Sequence, residues 1–188
     1  MRLGVMCSGN GTNFENIVKQ CPDHEVVLMI HNKEECGAKR KAYDLGIPAC
    51  HIKSKDEHLI SITFQALEVD LIVMAGWMRI VGKELIDSFS DRIINIHPSL
   101  LPKYKGLNAV QQALDSKDKT TGCTVHLVTE ELDSGKILHQ ASVPIEEDDT
   151  LDTLSDRIPV SYTHLRAHET PEQGRCRRVV VKKKGGGG

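Results

Sequence analysis

Near its N-terminus the chain carries the stretch Leu3-Gly4-Val5-Met6-Cys7-Ser8-Gly9-Asn10-Gly11-Thr12-Asn13, an apolar run followed at once by a glycine-rich loop. The apolar run has the length of a buried strand, and residues Asn13–Gln20 have the character of a helix. A strand, a glycine-rich turn and a helix in this order form the first half of a βαβ unit. The stretch therefore predicts an α/β fold built on a mostly parallel sheet.

The same alternation continues along the chain. Further apolar runs lie at Val26–Ile30, Pro48–Ile52 and Leu71–Ala75, and further helix-like stretches lie at Glu35–Leu45 and Glu57–Leu67. A shorter strand is expected at Arg92–Ile96. Continuous apolar runs that alternate with amphipathic segments are typical of a parallel sheet covered by helices on both faces.

The pattern changes after Gly122. Two strands are expected at Thr124–Val128 and Lys136–Val143, with only the acidic turn Glu130–Gly135 between them. Strands joined this closely indicate a hairpin or a paired crossover rather than another βαβ unit. The residues Asp149-Thr150-Leu151 are typical of the capped start of a final helix.

The composition is that of a globular protein with no nucleic-acid or membrane partner. The chain has 188 residues and a net charge of −2. The 25 residues from His164 onward contain seven basic and two acidic side chains, so the first 163 residues carry a net charge of −7. An acidic body argues against a nucleic-acid-binding surface. No stretch approaches the roughly 20 apolar residues of a membrane helix.

The N-terminus and the cysteines favour the cytoplasm. The residues before Ser8 are too few to form the apolar core of about 7–15 residues that a signal peptide needs. The six cysteines are scattered and none forms a C-x-x-C pair, which favours reduced thiols over a disulfide framework or metal ligation.

The end of the chain differs from the rest. After Ile158 the amphipathic period is lost, and the sequence becomes rich in arginine, lysine and glycine. This segment is similar to translated sequencing-adapter sequence; a natural basic tail is the alternative. We therefore expect residues 1–158 to form one domain that is incomplete at its C-terminus, and residues 159–188 to be a non-native or disordered basic tail.

The glycine-rich loop is a candidate anion site. Gly9 and Gly11 allow the backbone to approach a ligand closely, and the following helix offers free N–H groups to a negative charge. A dinucleotide-binding loop would need a third glycine or alanine at Phe14, so a phosphate-sized anion fits better. The alternative is a tight turn that only caps the helix.

The segment Asn95-Ile96-His97-Pro98-Ser99-Leu100-Leu101-Pro102-Lys103-Tyr104-Lys105-Gly106 is a candidate catalytic site. Side chains alternate along a strand, so Asn95 and His97 point the same way at the carboxyl edge of the sheet. An amide can hold a developing oxyanion while an imidazole handles a proton. A histidine before proline can also be purely structural.

Two further segments carry candidate residues. Asp133 lies in the turn between the last two strands, where it could raise the pKa of a nearby imidazole or be an exposed turn aspartate. The segment Ala75-Gly76-Trp77-Met78-Arg79-Ile80 follows a buried strand. It could bind a flat heteroaromatic ligand or simply cap the core.

Taken together, Ser8–Asn13, Ala75–Ile80, Asn95–Gly106 and Thr124–Gly135 resemble the phosphoribosylglycinamide formyltransferase family in order and in spacing. The resemblance extends over about Leu3–Ile158. It implies a Rossmann-like formyltransferase fold, with a mostly parallel twisted sheet flanked by helices and antiparallel strands near the C-terminal part. It also implies transfer of a formyl group from 10-formyltetrahydrofolate, the cosubstrate, to glycinamide ribonucleotide in de novo purine biosynthesis. No metal is required.

The resemblance assigns roles to three sets of residues. The catalytic residues are Asn95, His97 and Asp133; the phosphate-side loop is Gly11, Thr12 and Asn13; and the folate-binding residues are Met78, Arg79, Ile80, Val81 and Asn95. In the implied mechanism the amine attacks the formyl carbon directly. His97 and Asn95 stabilise the oxyanion, and Asp133 keeps His97 protonated. A glutamate that the family carries on a later helix has no match here, and Lys53 and Lys55 lie only near the position of a folate-side arginine.

Three alternatives remain in view. A formyltetrahydrofolate deformylase also resembles the chain around His97, but its members carry an additional N-terminal domain. Methionyl-tRNA formyltransferase shares the same region and needs an RNA-binding domain, which the acidic body does not provide. A non-catalytic phosphate- or folate-binding paralogue would be expected to lose Asn95, His97 or Asp133. The oligomeric state does not follow from the sequence.

Overall fold

A computed structural model describes residues 1–158 as a sheet of seven strands with six helices. The strands are β1 (Arg2–Cys7), β2 (Glu25–His31), β3 (Ala49–His51), β4 (Leu71–Met74), β5 (Ile93–His97), β6 (Thr120–Leu127) and β7 (Ile137–Pro144). The helices are α1 (Thr12–Gln20), α2 (Gly37–Asp44), α3 (Glu57–Ala66), α4 (Lys83–Ser88), α5 (Ala109–Asp115) and α6 (Leu151–Arg157). The expected tail, residues 159–188, lies outside the described residues.

The strand order is β3-β2-β1-β4-β5-β6-β7. The first five strands in this order are parallel, whereas β6 runs antiparallel to β5 and β7 antiparallel to β6. The α/β prediction and the expected pairing of the last two strands are therefore confirmed. The chain leaves β1 toward β2 on one side and returns to β4 on the other. The crevice for ligands in an open α/β sheet lies at such a reversal.

The sheet is buried on both faces because its strands send alternate side chains to two apolar cores. Val5 and Cys7 of β1 pack in one core with Phe14 of α1, whereas Met6 packs in the other core with Phe64 of α3. All four residues of β4 are buried, which explains why the central strands are continuous apolar runs. Each face thus fixes one set of helices relative to the strand ends.

Two helices were not expected from the sequence. Helix α4 has six residues and α5 has seven, so each forms fewer than two turns. Helices this short depend on tertiary packing rather than on their own propensity. Leu85 anchors α4, and Val110 and Ala113 anchor α5, as buried side chains. The expected helix start at Asp149–Leu151 is confirmed, because the Thr150 side chain caps α6 in a reciprocal hydrogen-bonded box with Thr153.

Strand ends also differ from the expected ones. The edge strand β3 has only three residues, and β6 begins four residues earlier than expected, at Thr120. A short edge strand presents few unpaired backbone groups to other chains. No helix within residues 1–158 is long and apolar enough to cross a membrane.

Candidate active site

A pocket of about 450 Å³ opens at the carboxyl edge of the sheet, beside the ends of β4 and β5. Its walls come from four parts of the chain: the end of β4 with the segment after it, strands β5 and β6, the loop after β5, and the turn that follows β6. The lining residues are Met74, Trp77, Met78, Arg79, Ile80, Val81, Asn95, His97, Gly106, Leu107, His126, Val128, Thr129, Glu131, Leu132 and Asp133. All seven residues that the sequence assigned to the catalytic and folate sets line this one pocket.

Strand β5 presents Asn95 and His97 to the pocket. Ile94 and Ile96, which alternate with them, are buried in the core on the opposite side of the strand. The expectation that the amide and the imidazole share one face is therefore confirmed. The strand itself determines this placement, because side chains alternate along any extended strand regardless of distant residues.

Asp133 is buried and lies next to His97. Its Oδ2 atom is 3.4 Å from His97 Nδ1 and accepts a hydrogen bond of 2.8 Å from the Gly106 N–H. Only 9% of the residue is exposed, so the exposed-turn alternative is wrong. The loop after β5 folds over the β6–β7 turn, and this contact closes the 36-residue gap between the two side chains.

The surroundings of Asp133 hold its carboxyl group in the charged form. Burial raises the pKa of this carboxyl, but hydrogen bonds from His126 and from the Gly106 N–H oppose it. Together with the positive charges of His97 and His126, they lower the pKa from 3.8 to about 2. The site therefore contains a fixed negative charge facing His97 at any physiological pH.

The two ring nitrogens of His97 have different partners. Nε2 lies 2.8 Å from the backbone carbonyl oxygen of Tyr104, and Nδ1 faces Asp133. A carbonyl oxygen can only accept, so Nε2 carries a proton and donates it to Tyr104. Nδ1 is then the ring nitrogen that can exchange a proton with, or donate to, a group in the pocket.

His126 is a site residue that the sequence did not single out. It pairs with Asn95 across the β5–β6 ladder, is buried, and lines the pocket. Its Nε2 lies 3.2 Å from Asn95 Nδ2 and 3.4 Å from Asp133 Oδ1. The β5–β6 register could have revealed it, but nothing in the local sequence of either strand specifies which residues face each other.

The glycine-rich loop is tightly packed. Gly11 has φ +74° and forms the N-cap of α1, and a Cβ atom there would lie 2.6 Å from the Cα atom of Ala38. The N–H of Ala38 donates to the carbonyl oxygen of Gly9 at 3.1 Å. The start of α2 thus packs against the loop, so the tight-turn explanation accounts for Gly11 whether or not an anion binds there. Thr12 is exposed and Asn13 is half-buried.

The segment after β4 divides its residues between two tasks. Trp77 and Val81 are buried in the core that contains α3 and α4, whereas Met78 and Ile80 are exposed at the pocket. The segment therefore caps the core through Trp77 and Val81, and the exposed residues between them form part of the pocket wall. The Ser8 Oγ atom accepts a hydrogen bond of 3.0 Å from the Met78 N–H, which ties the glycine-rich loop to this segment.

The fold and pocket define an α/β protein with a candidate ligand pocket at the carboxyl edge of its sheet. Among residues 1–158 no group of three or more histidine, cysteine or acidic side chains is arranged to hold a metal ion. The apolar wall beside a buried, hydrogen-bonded cluster of amide, imidazole and carboxylate suits a flat ligand with one reactive polar group.

Comparison with known proteins identifies the family. The formyl transferase family matches residues 1–161, and the chain belongs to it. Members of this family take the formyl group from a folate-derived donor. The solved structures that are similar to this chain include phosphoribosylglycinamide formyltransferases.

Two solved structures are particularly similar. Glycinamide ribonucleotide transformylase 1 from Symbiobacterium toebii is 36% identical, with 89% of this chain and 82% of that chain covered and a TM-score of 0.80. Phosphoribosylglycinamide formyltransferase from Anaplasma phagocytophilum is 40% identical, with coverage of 84% and 78% and a TM-score of 0.79.

Curated relatives are much longer proteins. The trifunctional purine biosynthetic protein adenosine-3 of Drosophila melanogaster is 39% identical over 84% of this chain. The protein of the same name from Gallus gallus is 38% identical over 84% of this chain. The chain spans 13% and 17% of the lengths of these two proteins.

Proposed function

We propose that the protein transfers the formyl group of 10-formyltetrahydrofolate to the amine of glycinamide ribonucleotide, a step of de novo purine biosynthesis. The observation that carries this proposal is the single pocket in which Asn95, His97 and Asp133 meet the apolar segment after β4. The similarity to phosphoribosylglycinamide formyltransferases supports the choice of substrates. The proposed partners are these two small molecules, and the proposed compartment is the cytoplasm.

The folate head group is proposed to lie against Met78, Arg79, Ile80 and Val81. Exposed apolar side chains at Met78 and Ile80 offer a surface for a flat ring system, and Val81 fixes the segment in the core. This placement puts the formyl group next to Asn95 and His97, since both side chains line the same pocket. Burial of the ring against apolar groups would exclude water from the reacting carbon.

The catalytic residues are proposed to act on the tetrahedral intermediate. The substrate amine attacks the formyl carbon, the bond from that carbon to the folate nitrogen breaks, and the amine proton passes to the departing nitrogen. His97 Nδ1–H and the Asn95 amide donate to the oxyanion, and Asp133 balances the imidazolium charge. His97 can use only Nδ1 for this task while Nε2 is bonded to Tyr104.

Asn95 can serve as an oxyanion donor only if Nδ2 faces the pocket. In the structure Nδ2 points toward His126 and Asp133. An amide nitrogen carries two hydrogens, so one N–H can donate to Asp133 while the other is proposed to donate to the formyl oxygen.

The phosphate of glycinamide ribonucleotide is proposed to bind at Gly11, Thr12 and Asn13. Gly11 is the N-cap of α1 and supplies no capping side chain, so the first turn depends on other partners for its N–H groups. The hydrogen bond from Met78 to Ser8 joins this loop to the folate segment, which sets the distance between the two substrates.

The experiment that tests the proposal measures product formation with and without the acceptor amine. Transfer predicts that tetrahydrofolate and formylated glycinamide ribonucleotide appear together, and only when the amine is present. Release of formate in the absence of the amine would instead identify a deformylase. Binding of a folate analogue without either reaction would identify a non-catalytic paralogue. Either of the last two results overturns the proposal.

A further inference from the structure

The imidazole of His97 is held from outside the pocket by a backbone group. Its Nε2–H donates to the carbonyl oxygen of Tyr104 at 2.8 Å, and Tyr104 does not line the pocket. Rotation of the ring would break this bond, so the direction in which Nδ1 points depends on where the Tyr104 carbonyl lies. The position of that carbonyl therefore matters to any chemistry at Nδ1.

The backbone at Tyr104 is in a conformation that it does not adopt readily on its own. Its φ is +56°, in the left-handed region that non-glycine residues other than asparagine and aspartate seldom occupy. Such a residue persists only where its surroundings hold it in place. Two groups of contacts around Tyr104 can do so.

The first group acts through the tyrosine ring. The Tyr104 hydroxyl donates to Asp118 Oδ2 at 2.5 Å, and Lys103 Nζ lies 2.6 Å from the same oxygen. The hydrogen bond from Lys103, followed in size by the one from Tyr104, lowers the pKa of the Asp118 carboxyl. The carboxyl group therefore stays a charged acceptor. Asp118 lies on the turn between α5 and β6, so it is an anchor on a separate part of the fold.

The second group acts through the backbone of the same loop. Ser99 Oγ donates to the carbonyl oxygen of Lys103 at 2.7 Å, and Ser99 is fully buried. The same hydroxyl lies 3.4 Å from the Tyr104 carbonyl oxygen, a longer and weaker contact. The Tyr104–Asp118 bond fixes the ring and with it the rotation of the peptide that carries the acceptor carbonyl. Removing the Tyr104 hydroxyl alone is enough to break the Tyr104–Asp118 bond.

We propose that Tyr104 and Asp118 are positioning residues for His97. Neither residue lines the pocket. Asp118 holds the Tyr104 ring, the ring holds the left-handed backbone, and the carbonyl of that backbone holds Nε2–H so that Nδ1 faces Asp133 and the reacting group. The effect on turnover rests on the proposed formyl transfer, but the effect on the imidazole does not.

The variants are Tyr104→Phe and Asp118→Ala, alone and together, with Tyr43→Phe as the matched control. Tyr43 is 87% exposed on α2, so loss of its hydroxyl should change nothing at the site. In the full chain the ring N–H signal of His97 is followed by ¹⁵N-edited NMR and assigned by its absence in His97→Gln. The turnover number and the KM for both substrates are measured beside it.

We expect the Nε2–H signal of His97 to be protected in the wild type and in Tyr43→Phe. In Tyr104→Phe and in Asp118→Ala it should be lost to exchange with water. We expect kcat to fall by roughly tenfold to a hundredfold with the KM values unchanged, since the damage is a misplaced catalytic group. The double variant should be no worse than Asp118→Ala, because Asp118→Ala already removes the bond that Tyr104→Phe would break.

An unchanged His97 signal in Tyr104→Phe overturns the proposal, whatever happens to turnover. So does a fall in kcat that adds up in the double variant, which would indicate two independent effects. If Tyr104→Phe does not fold, Asp118→Ala decides the matter by the same signal. A wild type that transfers no formyl group would refute the proposed function, yet the signal would still show whether the anchor holds the ring.

Discussion

The imidazole of His97 is the side chain on which the proposed reaction depends most. A donor that acts on a developing oxyanion contributes mainly in the transition state, so His97→Ala should lower kcat by roughly 10²–10⁴-fold. The affinity for a folate analogue, measured by calorimetry, should stay near that of the wild type. His58→Ala on the exposed face of α3 is the control. A near-normal kcat in His97→Ala would return this histidine to a structural role.

Asp133 should make the stability of the fold depend on pH, and its charge should also support turnover. Its carboxyl pKa is lowered from 3.8 to about 2 in the folded protein, so it stabilises the fold above pH 3.8. This contribution is lost as the pH falls from about 4 toward 2, because the folded state must then accept a proton that the unfolded state already binds. Asp133→Asn should lower kcat and give a shallower fall of Tm over that range.

The control for this comparison is Asp87→Asn, which removes an exposed carboxylate that is paired with Lys83 on α4. Its Tm should follow the wild-type curve between pH 4 and 2. If Asp133→Asn and Asp87→Asn gave the same curve, the buried carboxylate would not be the source of the pH dependence.

Gly11 can be tested for its structural task before any ligand is added. Alanine at a positive φ costs about 1–2 kcal/mol of the free energy of unfolding. Gly11→Ala should cost about 1–3 kcal/mol more than that, because its Cβ atom would collide with the backbone of Ala38. Gly46→Ala is the matched control, since Gly46 has φ +68° with no atom within 4 Å of an added Cβ. If urea unfolding gave equal losses of unfolding free energy for the two variants, the loop would have shifted to accommodate the added Cβ atom.

This result also bears on how substrate binding should be tested. A bulky residue at Gly11 would disturb the contact between the loop and α2, so a raised KM could not be attributed to a lost phosphate contact. Substitution of the exposed Thr12 leaves that contact in place. Thr12→Ala is therefore the better variant for measuring the KM of glycinamide ribonucleotide.

Among the elements, α6 is the one whose packing most needs a test. Leu154 is fully buried in the core that also contains Val110 of α5. Leu154→Ala should therefore cost about 2–5 kcal/mol of the free energy of unfolding. Leu151→Ala, on the same helix but 46% exposed, should cost about 0.5 kcal/mol or less. Similar losses for the two variants in urea unfolding would mean that α6 does not pack as described.

Helices α4 and α5 show where sequence reasoning fails at this scale. The longer helices α1 and α3 carry enough residues to display an apolar period, and the sequence indicated both. Six or seven residues display less than two turns of that period, so α4 and α5 could not be distinguished from loops. Their buried anchors become visible only when the sheet is present to pack against.

For the whole molecule, the division at residue 158 remains a prediction. We expect a chain that ends at Ile158 to have the same free energy of unfolding as the full chain, and the same affinity for a folate analogue. A chain that ends at Thr150 lacks α6 and should be less stable, because Leu154 and Ile158 are lost from the core. Urea unfolding of the three chains measures the difference. A large loss on removal of residues 159–188 alone would contradict the proposed boundary.

The sequence by itself determined the class of fold and much of the site. Continuous apolar runs indicated the parallel strands, the short acidic turn indicated the pairing of β6 with β7, and alternation placed Asn95 and His97 on one face. All of these follow from local rules, because a few neighbouring residues determine the period of a strand or helix and the chemistry of a turn.

Only the tertiary structure decided which distant groups meet. It buried Asp133 beside His97, set His126 opposite Asn95, and placed the Tyr104 carbonyl behind the imidazole. Each of these contacts depends on strand register and on how a loop folds over another turn. Register and loop packing are fixed by the burial of side chains from the whole domain rather than by the residues in contact, so no local pattern in this sequence could specify them.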